Sequence, residues 1–372
     1  MPRSALLTVL LAALLTAAAP GRLMAQTSPS AKARPHRLRI AELNCENLFD
    51  TLHTEGHEDH EFLPQSERQW DTRRYRRKLS MLAREIVSLC STEPVDILAL
   101  TEVESDTALR DLTQRTRLSA LNYKYIMTHG SDRRGINVAL LYREGSLRPL
   151  STRSLSWQQR AGIAYPTRDA LHVSGLVRSG DTVNIIVCHL PSQYGKKKSR
   201  RLRSTIAAAL RSYTDSISAA STRPGIVIIG DMNTTPGSRT MQRDLGARML
   251  SPVGGKGLAI PLEEDIEGTP SLCNISNLRA DPTSPRGTYR YRGHWDMLDQ
   301  CVVSSDMLNQ ANSLHVAGPT PVSIVSHAFL MEDDRQYGGQ KPWRTFLGPM
   351  YHGGFSDHLP IVVEFELSGV RD

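Results

Sequence analysis

Pro224-Gly225-Ile226-Val227-Ile228-Ile229-Gly230-Asp231-Met232-Asn233-Thr234-Thr235-Pro236 is the stretch on which the fold reading turns. Pro-Gly turns the chain into a four-residue β-branched run, which reads as a strand that ends at Gly230-Asp231. Asp231 and Asn233 stand two apart, so in extended backbone their side chains share a direction and can grip one group together. An Asx turn would supply the same Asp, Asn and Pro with no chemistry attached. Immediately upstream, a helix spans Lys197 to about Ser218, and before it the run Val183-Asn184-Ile185-Ile186-Val187-Cys188-His189 is another strand. Strand, helix, strand is the signature of an α/β protein.

The N-terminal half repeats that order. Leu38 to Asn44 alternates apolar and polar residues and predicts a first strand. His53 to Glu67, rich in His, Glu and Asp, has no steady period and reads as a long surface loop. Tyr75, Leu79, Leu82, Ile86 and Leu89 then recur at helical spacing among arginines, in a helix closed near Pro94. Asp96 to Leu100 follows as a short apolar strand ending at Thr101-Glu102. Tyr123 to Met127 and Ile136 to Tyr142 form a candidate strand pair joined by the Gly130 to Gly135 turn, and the last strands are Gln300 to Val303 and Ile361 to Phe365. Leu250 to Pro285 is Gly-, Pro- and Ser-rich and reads as loops around short elements. No repeat appears and no linker forces a second domain, so one compact α/β domain covers residues 38–370. Several strands are half-buried alternators, which favours mixed sheets over a purely parallel one.

The 372 residues carry 45 Lys plus Arg against 38 Asp plus Glu, with 40% hydrophobic residues, which excludes a disordered chain. Residues 1–25 read as a signal peptide, with Arg3 as the positive start, Leu7 to Ala19 as the apolar run and Ala25 at a small-residue exit; Ala19 offers an earlier cut. Residues 26–37 are a Ser/Pro/Lys linker. Export to a periplasmic or extracellular space is therefore expected, as a monomer. No later stretch reaches 18 apolar residues, which argues against an integral span in the mature chain. Removing the first 25 residues takes away Arg3 and Arg22 and no acid, lowering the charge from +7 to +5, a mild bias compatible with an anionic substrate. Cys45, Cys90, Cys188, Cys273 and Cys301 stand singly with no staple-like spacing, so the case for disulfides is weak.

Apolar strands in this chain repeatedly stop at a residue able to bind metal or move a proton: Asn44, Glu102, His189, Asp231 with Asn233, and Asp357 with His358. If those ends share one edge of the fold, chain-distant groups converge on one cleft. Glu102 supplies a hard oxygen ligand of the kind Mg2+ prefers, or is a solvent-facing carboxylate just past a strand. Gly353-Gly354 before Ser356-Asp357-His358-Leu359-Pro360 lets backbone approach a ligand, or only turns the chain into its final strand. Lys196-Lys197-Lys198-Ser199-Arg200-Arg201-Leu202-Arg203 places six cations just after His189, at a helix start where the dipole disfavours them. Tyr289, Tyr291 and Trp295 among Arg286, Arg290 and Arg292 could stack on bases, line a pocket or pack a loop. His53, His57 and His60 form a loose cluster that a hydrophilic loop explains. A Gly-x-Ser-x-Gly elbow, a P-loop, a His-Glu-x-x-His helix and a dinucleotide fingerprint are all missing, which sets those chemistries aside.

Taken in order, Leu43-Asn44, Thr101-Glu102-Val103, Asp132-Arg133-Arg134-Gly135, Cys188-His189-Leu190-Pro191, Gly230-Asp231-Met232-Asn233, Asp299 to Ser304 and Ser356 to Pro360 resemble the endonuclease/exonuclease/phosphatase superfamily, which includes nucleases, inositol polyphosphate phosphatases and bacterial sphingomyelinases. The resemblance implies a four-layer α/β sandwich of two mixed β-sheets flanked by helices, DNase I-like, with an active site at one edge. It also implies Mg2+- or Mn2+-dependent hydrolysis of a phosphorylated substrate, DNA or RNA among the candidates. Asn44, Glu102 and Asp357 would lie near the metal, Asp231 and Asn233 would orient nucleophile and phosphate, and His189 would contact a phosphoryl oxygen. Asp299 would hold His358 as the base; Asp296 inherits that place if the register differs, and Asp231 is the alternative base. The basic runs favour an endonuclease-like phosphodiesterase, with a phosphatase or a phospholipid-headgroup diesterase as the other reading. A non-catalytic binding module on the same fold is disfavoured by the full set of candidate catalytic residues.

Overall fold

The structure, a computed structural model, describes residues 36–90, 93–193, 196–252, 258–259, 272–279 and 281–370. The expected signal peptide and all but the end of the expected linker lie outside the described residues, which all fall in one compact unit, Pro35–Asp372. The first strand, β1 (His36–Leu48), begins inside the expected linker and runs four residues past Asn44. Helix α1 (Thr72–Ser88) follows, its first turn capped by the Asp71 side chain accepting from the Arg74 N–H. Then comes β2 (Ile97–Val103), parallel to β1 as the strand-helix-strand order predicts. Helix α2 (Asp106–Gln114) had no counterpart in the sequence reading. Strands β3 (Lys124–Met127) and β4 (Asn137–Tyr142) make the predicted antiparallel pair.

The second half opens with β5 (Leu147–Leu155), α3 (Trp157–Ala161) and β6 (Ala170–Val177), also missed, because β5 exposes most of its residues and shows little apolar periodicity. Strand β7 (Thr182–His189), helix α4 (Lys196–Ala219) and β8 (Ile226–Asp231) come next, with β7 and β8 parallel. One seven-stranded sheet runs Leu314–Val316, Ile361–Leu367, β1, β2, β4, β3, with Val322–Ile324 also on Ile361–Leu367. The other, also seven-stranded, runs β5, β6, β7, β8, Asp299–Ser304, Leu272–Asn274 and β9 (Ala247–Met249).

Strand periodicity stacks these sheets. Along β7, Ile185 and Val187 face the other sheet while Ile186 and Cys188 face α4; along β1, Leu38 and Ile40 face inward while Ala41, Leu43 and Cys45 face α1. The inter-sheet core joins Leu38, Ile40, Ala99 and Leu140 of one sheet to Val173, Ile185, Val227 and Ile229 of the other. Leu79, Leu82 and Ile86 of α1 cover one outer face; Ile206, Ala207 and Leu210 of α4 cover the other. Helices, sheet, sheet, helices make the four layers expected of the resemblance. All five cysteines are free.

One buried acid of α1 makes stability depend on pH. Glu85 is 1% exposed and neither of its oxygens has a hydrogen-bond partner among the described residues. Burial pushes its carboxyl up to about 8 from 4.5, against the pull of the Lys78 charge. Because the folded chain holds this proton and the unfolded chain releases it above pH 4.5, stability falls as pH rises through that window to about 8. Glu85→Gln should therefore melt close to wild type near pH 5 and above it at pH 8 to 9; equal pH slopes in a melting series would show that Glu85 is ionised in the fold.

Candidate active site

Strand register builds the site. In the second sheet His189 lies across from Asp231, and Asp231 across from Asp299, so three ends of neighbouring strands present their side chains in one row. In the first sheet Asn44 lies beside Thr101, and a bulge between Thr101 and Val103 holds Glu102 at φ 59°. Among the described non-glycine residues with positive φ are Glu46, Asn47, Glu102 and Asn233, all at this edge. Residues rarely adopt that backbone unless their surroundings hold them there, and here it re-aims side chains out of the sheet direction.

Asp231 is the hub of the cluster. Its Oδ2 accepts from Asn44 Nδ2 at 3.2 Å and Asn233 Nδ2 at 3.0 Å, and its Oδ1 accepts from the Asn233 N–H at 2.8 Å. His189 Nε2 stands 3.6 Å from Asp231 Oδ2 and 3.7 Å from Glu102 Oε1. Glu102 is steadied through Oε2, which accepts from the Asn47 N–H at 2.9 Å. On the far side, His358 Nδ1–H donates to Asp299 Oδ2 at 2.7 Å, which leaves Nε2 as the ring's basic nitrogen. One ligand atom each from Asp231, Asp299 and His358 lies within 4.8 Å of the others. The Tyr289 ring packs on the His358 ring at 4.9 Å between centroids.

Electrostatics separate the two histidines. Burial, with the Arg168 and Arg134 charges, holds His189 well below its ordinary value, so the ring is neutral. Burial acts the same way on His358, but the Asp299, Asp231 and Asp357 charges outweigh it and raise its affinity for a proton. Asp231 is pushed up to about 7 by burial, with the His358 charge opposing and Asp299 adding. Burial would raise Asp357 as well; the Arg344 and His358 charges hold it below its ordinary value.

The three residues expected around a cation are engaged differently. Glu102 faces His189, Asn44 commits Nδ2 to Asp231 and Oδ1 to the Glu46 N–H at 2.9 Å, and Asp357 pairs with Arg344. Their oxygens, with the neighbouring Asp231, are hard donors suited to Mg2+ or Mn2+. It is Asp299, not Asp296, that pairs with His358.

A family model for the endonuclease/exonuclease/phosphatase family matches residues 39–367. The chain belongs to this family. Its fold is similar to that of a D. rerio TDP2 humanized by 14 mutations, at 16% identity and TM-score 0.52, covering 89% of this chain and 99% of that one. An endonuclease/exonuclease/phosphatase family protein from Bacteroides thetaiotaomicron matches at 15% identity and TM-score 0.52, over 90% and 96% of the two chains. A mannosyl-6-phosphatase from Bacteroides thetaiotaomicron VPI-5482 matches at 15% identity and TM-score 0.50, over 88% and 99%. Comparison with curated proteins gives no match. Membership and the cluster of carboxylates and imidazoles together make this a metal-binding phosphoesterase fold.

Several residues at this edge had no site role in the sequence reading, although Arg203 stood in its run of six cations. Arg134 donates through Nη1 to Asn47 Oδ1 at 3.2 Å, and Arg168 donates to the Leu190 carbonyl at 3.2 Å, 3.8 Å from Asp132. Arg203 reaches back from α4 to the Pro191 and Ser192 carbonyls at 2.9 and 2.8 Å. Glu46 accepts from the Thr345 and Phe346 N–H groups and, with Asp357, brackets Arg344. Arg134 and Arg168 come from loops and Arg203 from a helix, where no strand pattern marks them, and Glu46 lies in β1 beyond the expected strand end at Asn44, on backbone of positive φ. The Asp132-Arg133-Arg134-Gly135 match was the one available signal for Arg134. One expected grouping comes apart and another gathers in part. Tyr289 sits on His358 while Tyr291 is exposed and Trp295 packs against the inter-sheet core. His53 and His60 gather with Asp59, whose oxygens are met by His53 Nδ1 at 2.5 Å and the Thr54 N–H at 2.8 Å, so hydrogen bonds within the loop account for the group.

Proposed function

We propose that this protein is an exported, monomeric, Mg2+- or Mn2+-dependent phosphoesterase, acting as an endonuclease-like phosphodiesterase. The reading is carried by the row of His189, Asp231 and Asp299 at strand ends, closed by His358 on one side and Glu102 on the other. Glu102 and Asp357, with Asn44 beside them, would hold the cation, which supplies charge neutralisation and polarisation of the phosphoryl oxygen when bound. His358 Nε2 takes the proton from the attacking water, and Asp299 stabilises the imidazolium that forms. Asp231, fixed by three donor contacts, and Asn233 orient water and phosphate for in-line attack. Neutral His189 offers a hydrogen bond to a non-bridging oxygen, and Arg134 and Arg168 set a positive wall behind it.

A polymeric substrate is supported by the start of α4. Lys197, Lys198, Arg200 and Arg201 are exposed in its first turns, with no acid among them, and Arg203 ties that helix to the segment after His189. Such a strip follows a phosphate backbone by point charge. Among the described residues no helix is long and apolar enough to cross a membrane.

The deciding experiment is a panel of duplex DNA, single-stranded DNA, RNA, inositol phosphates, sugar phosphates and sphingomyelin, with Mg2+, Mn2+ or EDTA. Cleavage of polymer that is abolished by EDTA and weakens steeply with salt is expected. Free phosphate released from a small monoester, with polymer untouched, would replace the diesterase reading by a phosphatase. Turnover indifferent to EDTA would remove the metal.

A further inference from the structure

Tyr75, Lys78, Leu79, Leu82, Ala83 and Ile86 lie on the buried face of α1, so a lysine stands in a stripe that packing would fill with an apolar side chain. Lys78 is 1% exposed, and a lysine is seldom buried to that extent unless its donors are met, because its amino group is strongly hydrated in water. Here Nζ donates to Thr345 Oγ1 and to the Phe355 carbonyl, each at 2.6 Å, and stands 4.0 Å from Glu46 Oε2. Thr345 Oγ1 in turn donates to the same Phe355 carbonyl at 3.3 Å. The neighbouring Arg77 donates from Nε and Nη2 to the Gly353 carbonyl at 3.3 and 3.2 Å.

The segment that α1 grips in this way is a hairpin. Phe346–Leu347 pairs with Met350–Tyr351, and the Phe355 and Gly354 N–H groups donate to the Trp343 and Arg344 carbonyls at 2.6 and 3.1 Å. One leg carries Arg344, and the other runs on into Asp357, which pairs with Arg344, and His358. We propose that Lys78 is a positioning residue: it clasps both legs of the hairpin at once, through Thr345 next to Arg344 and through Phe355 two residues before Asp357, and so fixes the Arg344–Asp357 pair at the edge where the cation would be held. A ladder this short is marginal alone, whereas Leu79, Leu82 and Ile86 seat α1 on the first sheet, so the helix sets where Asp357 stands. Burying a hydrated amino group costs stability, and proteins retain such a group where it orients a side chain that holds a metal.

The inference rests on the reading that Asp357 helps to hold the cation, and its test separates the two. Lys78→Met keeps the length and completes the apolar stripe. With Mn2+ as the probe and no substrate present, calorimetry should give the folded variant a Kd about 10- to 100-fold above that of wild type. Ile86→Ala, further along the same face of α1, should lower Tm without moving that Kd. Hydrogen exchange across residues 343–357 should quicken in K78M and not in I86A. If K78M does not fold, Thr345→Val takes its place: it removes the hydroxyl that links Lys78 to Phe355 and should raise the Kd a few-fold. A wild-type Kd in the folded variant, or an equal shift in I86A, would overturn the proposal. If wild type binds neither Mn2+ nor Mg2+, the cation reading of Asp357 has failed; unchanged exchange over 343–357 in the folded variant would then overturn the clasp, and faster exchange would uphold it.

Discussion

His358→Ala should lower kcat by about 10^3-fold or more while leaving KM within a few-fold, because the ring does its work in proton transfer rather than in holding substrate. The Asp299 Oδ2 contact at 2.7 Å commits Nδ1–H and leaves Nε2 as the basic nitrogen, in a cluster where one ligand atom each of His358, Asp231 and Asp299 lies within 4.8 Å of the others. Three carboxylates raise the ring's affinity for a proton against the effect of burial, so the imidazolium formed when the ring takes a proton is stabilised. Truncation leaves Asp299 Oδ2 buried without its partner, so loss of rate could be confused with loss of fold. His358→Gln keeps a donor near Asp299 without a basic nitrogen, and both variants should show native circular dichroism and cooperative melting. Turnover by folded H358A equal to wild type on the true substrate would pass the role of base to Asp231, whose carboxyl, pushed up to about 7, is the other group able to trade a proton near neutrality.

Much of this site is legible in the primary sequence because strands advertise their ends. The β-branched run Ile226 to Ile229 can only be a strand, so the carboxylate that stops it must lie at a sheet edge. His189 and Asp231 could be placed that way, and Asn44 and Glu102 fell beside or just past an expected strand end, but pairing register is what sets His189, Asp231 and Asp299 in one row, and pairing is a long-range property. Residues that act from loops leave no such trace. Arg168 and Arg344 reach the edge from irregular segments, and their neighbours in sequence predict nothing about where a long side chain ends. Glu42 is the instructive middle case. The alternation Leu38, Ile40, Glu42, Asn44 shows an apolar face turning polar two residues before the expected strand end, yet only the packed structure reveals that the acid is dry, with no hydrogen-bond partner for either oxygen among the described residues.

Gly230→Ala should be the most destabilising single-carbon change near the site, by about 4 kcal/mol or more, and should yield unfolded or insoluble protein. Gly230 has φ +145°, a region that L side chains avoid, and it lies on a central strand between Cys188 of β7 and Gln300 of the next strand. A Cβ there would sit 1.9 Å from the Cys188 carbonyl oxygen, 2.9 Å from its carbonyl carbon and 3.0 Å from its nitrogen. All three are main-chain atoms of the residue paired with Gly230 on β7, so no rotamer change relieves the clash; the strands must part. Parting them unseats Asp231, the next residue, from its register with His189 and Asp299, and the site fails with the sheet. Gly237→Ala is the control, since an added carbon there meets nothing within 4 Å. Urea melts should superimpose G237A on wild type and find no cooperative transition for G230A. A G230A protein that folds with wild-type stability would mean that β7 and β8 are not in the register that builds the row of His189, Asp231 and Asp299, and with that row the catalytic assignment would go.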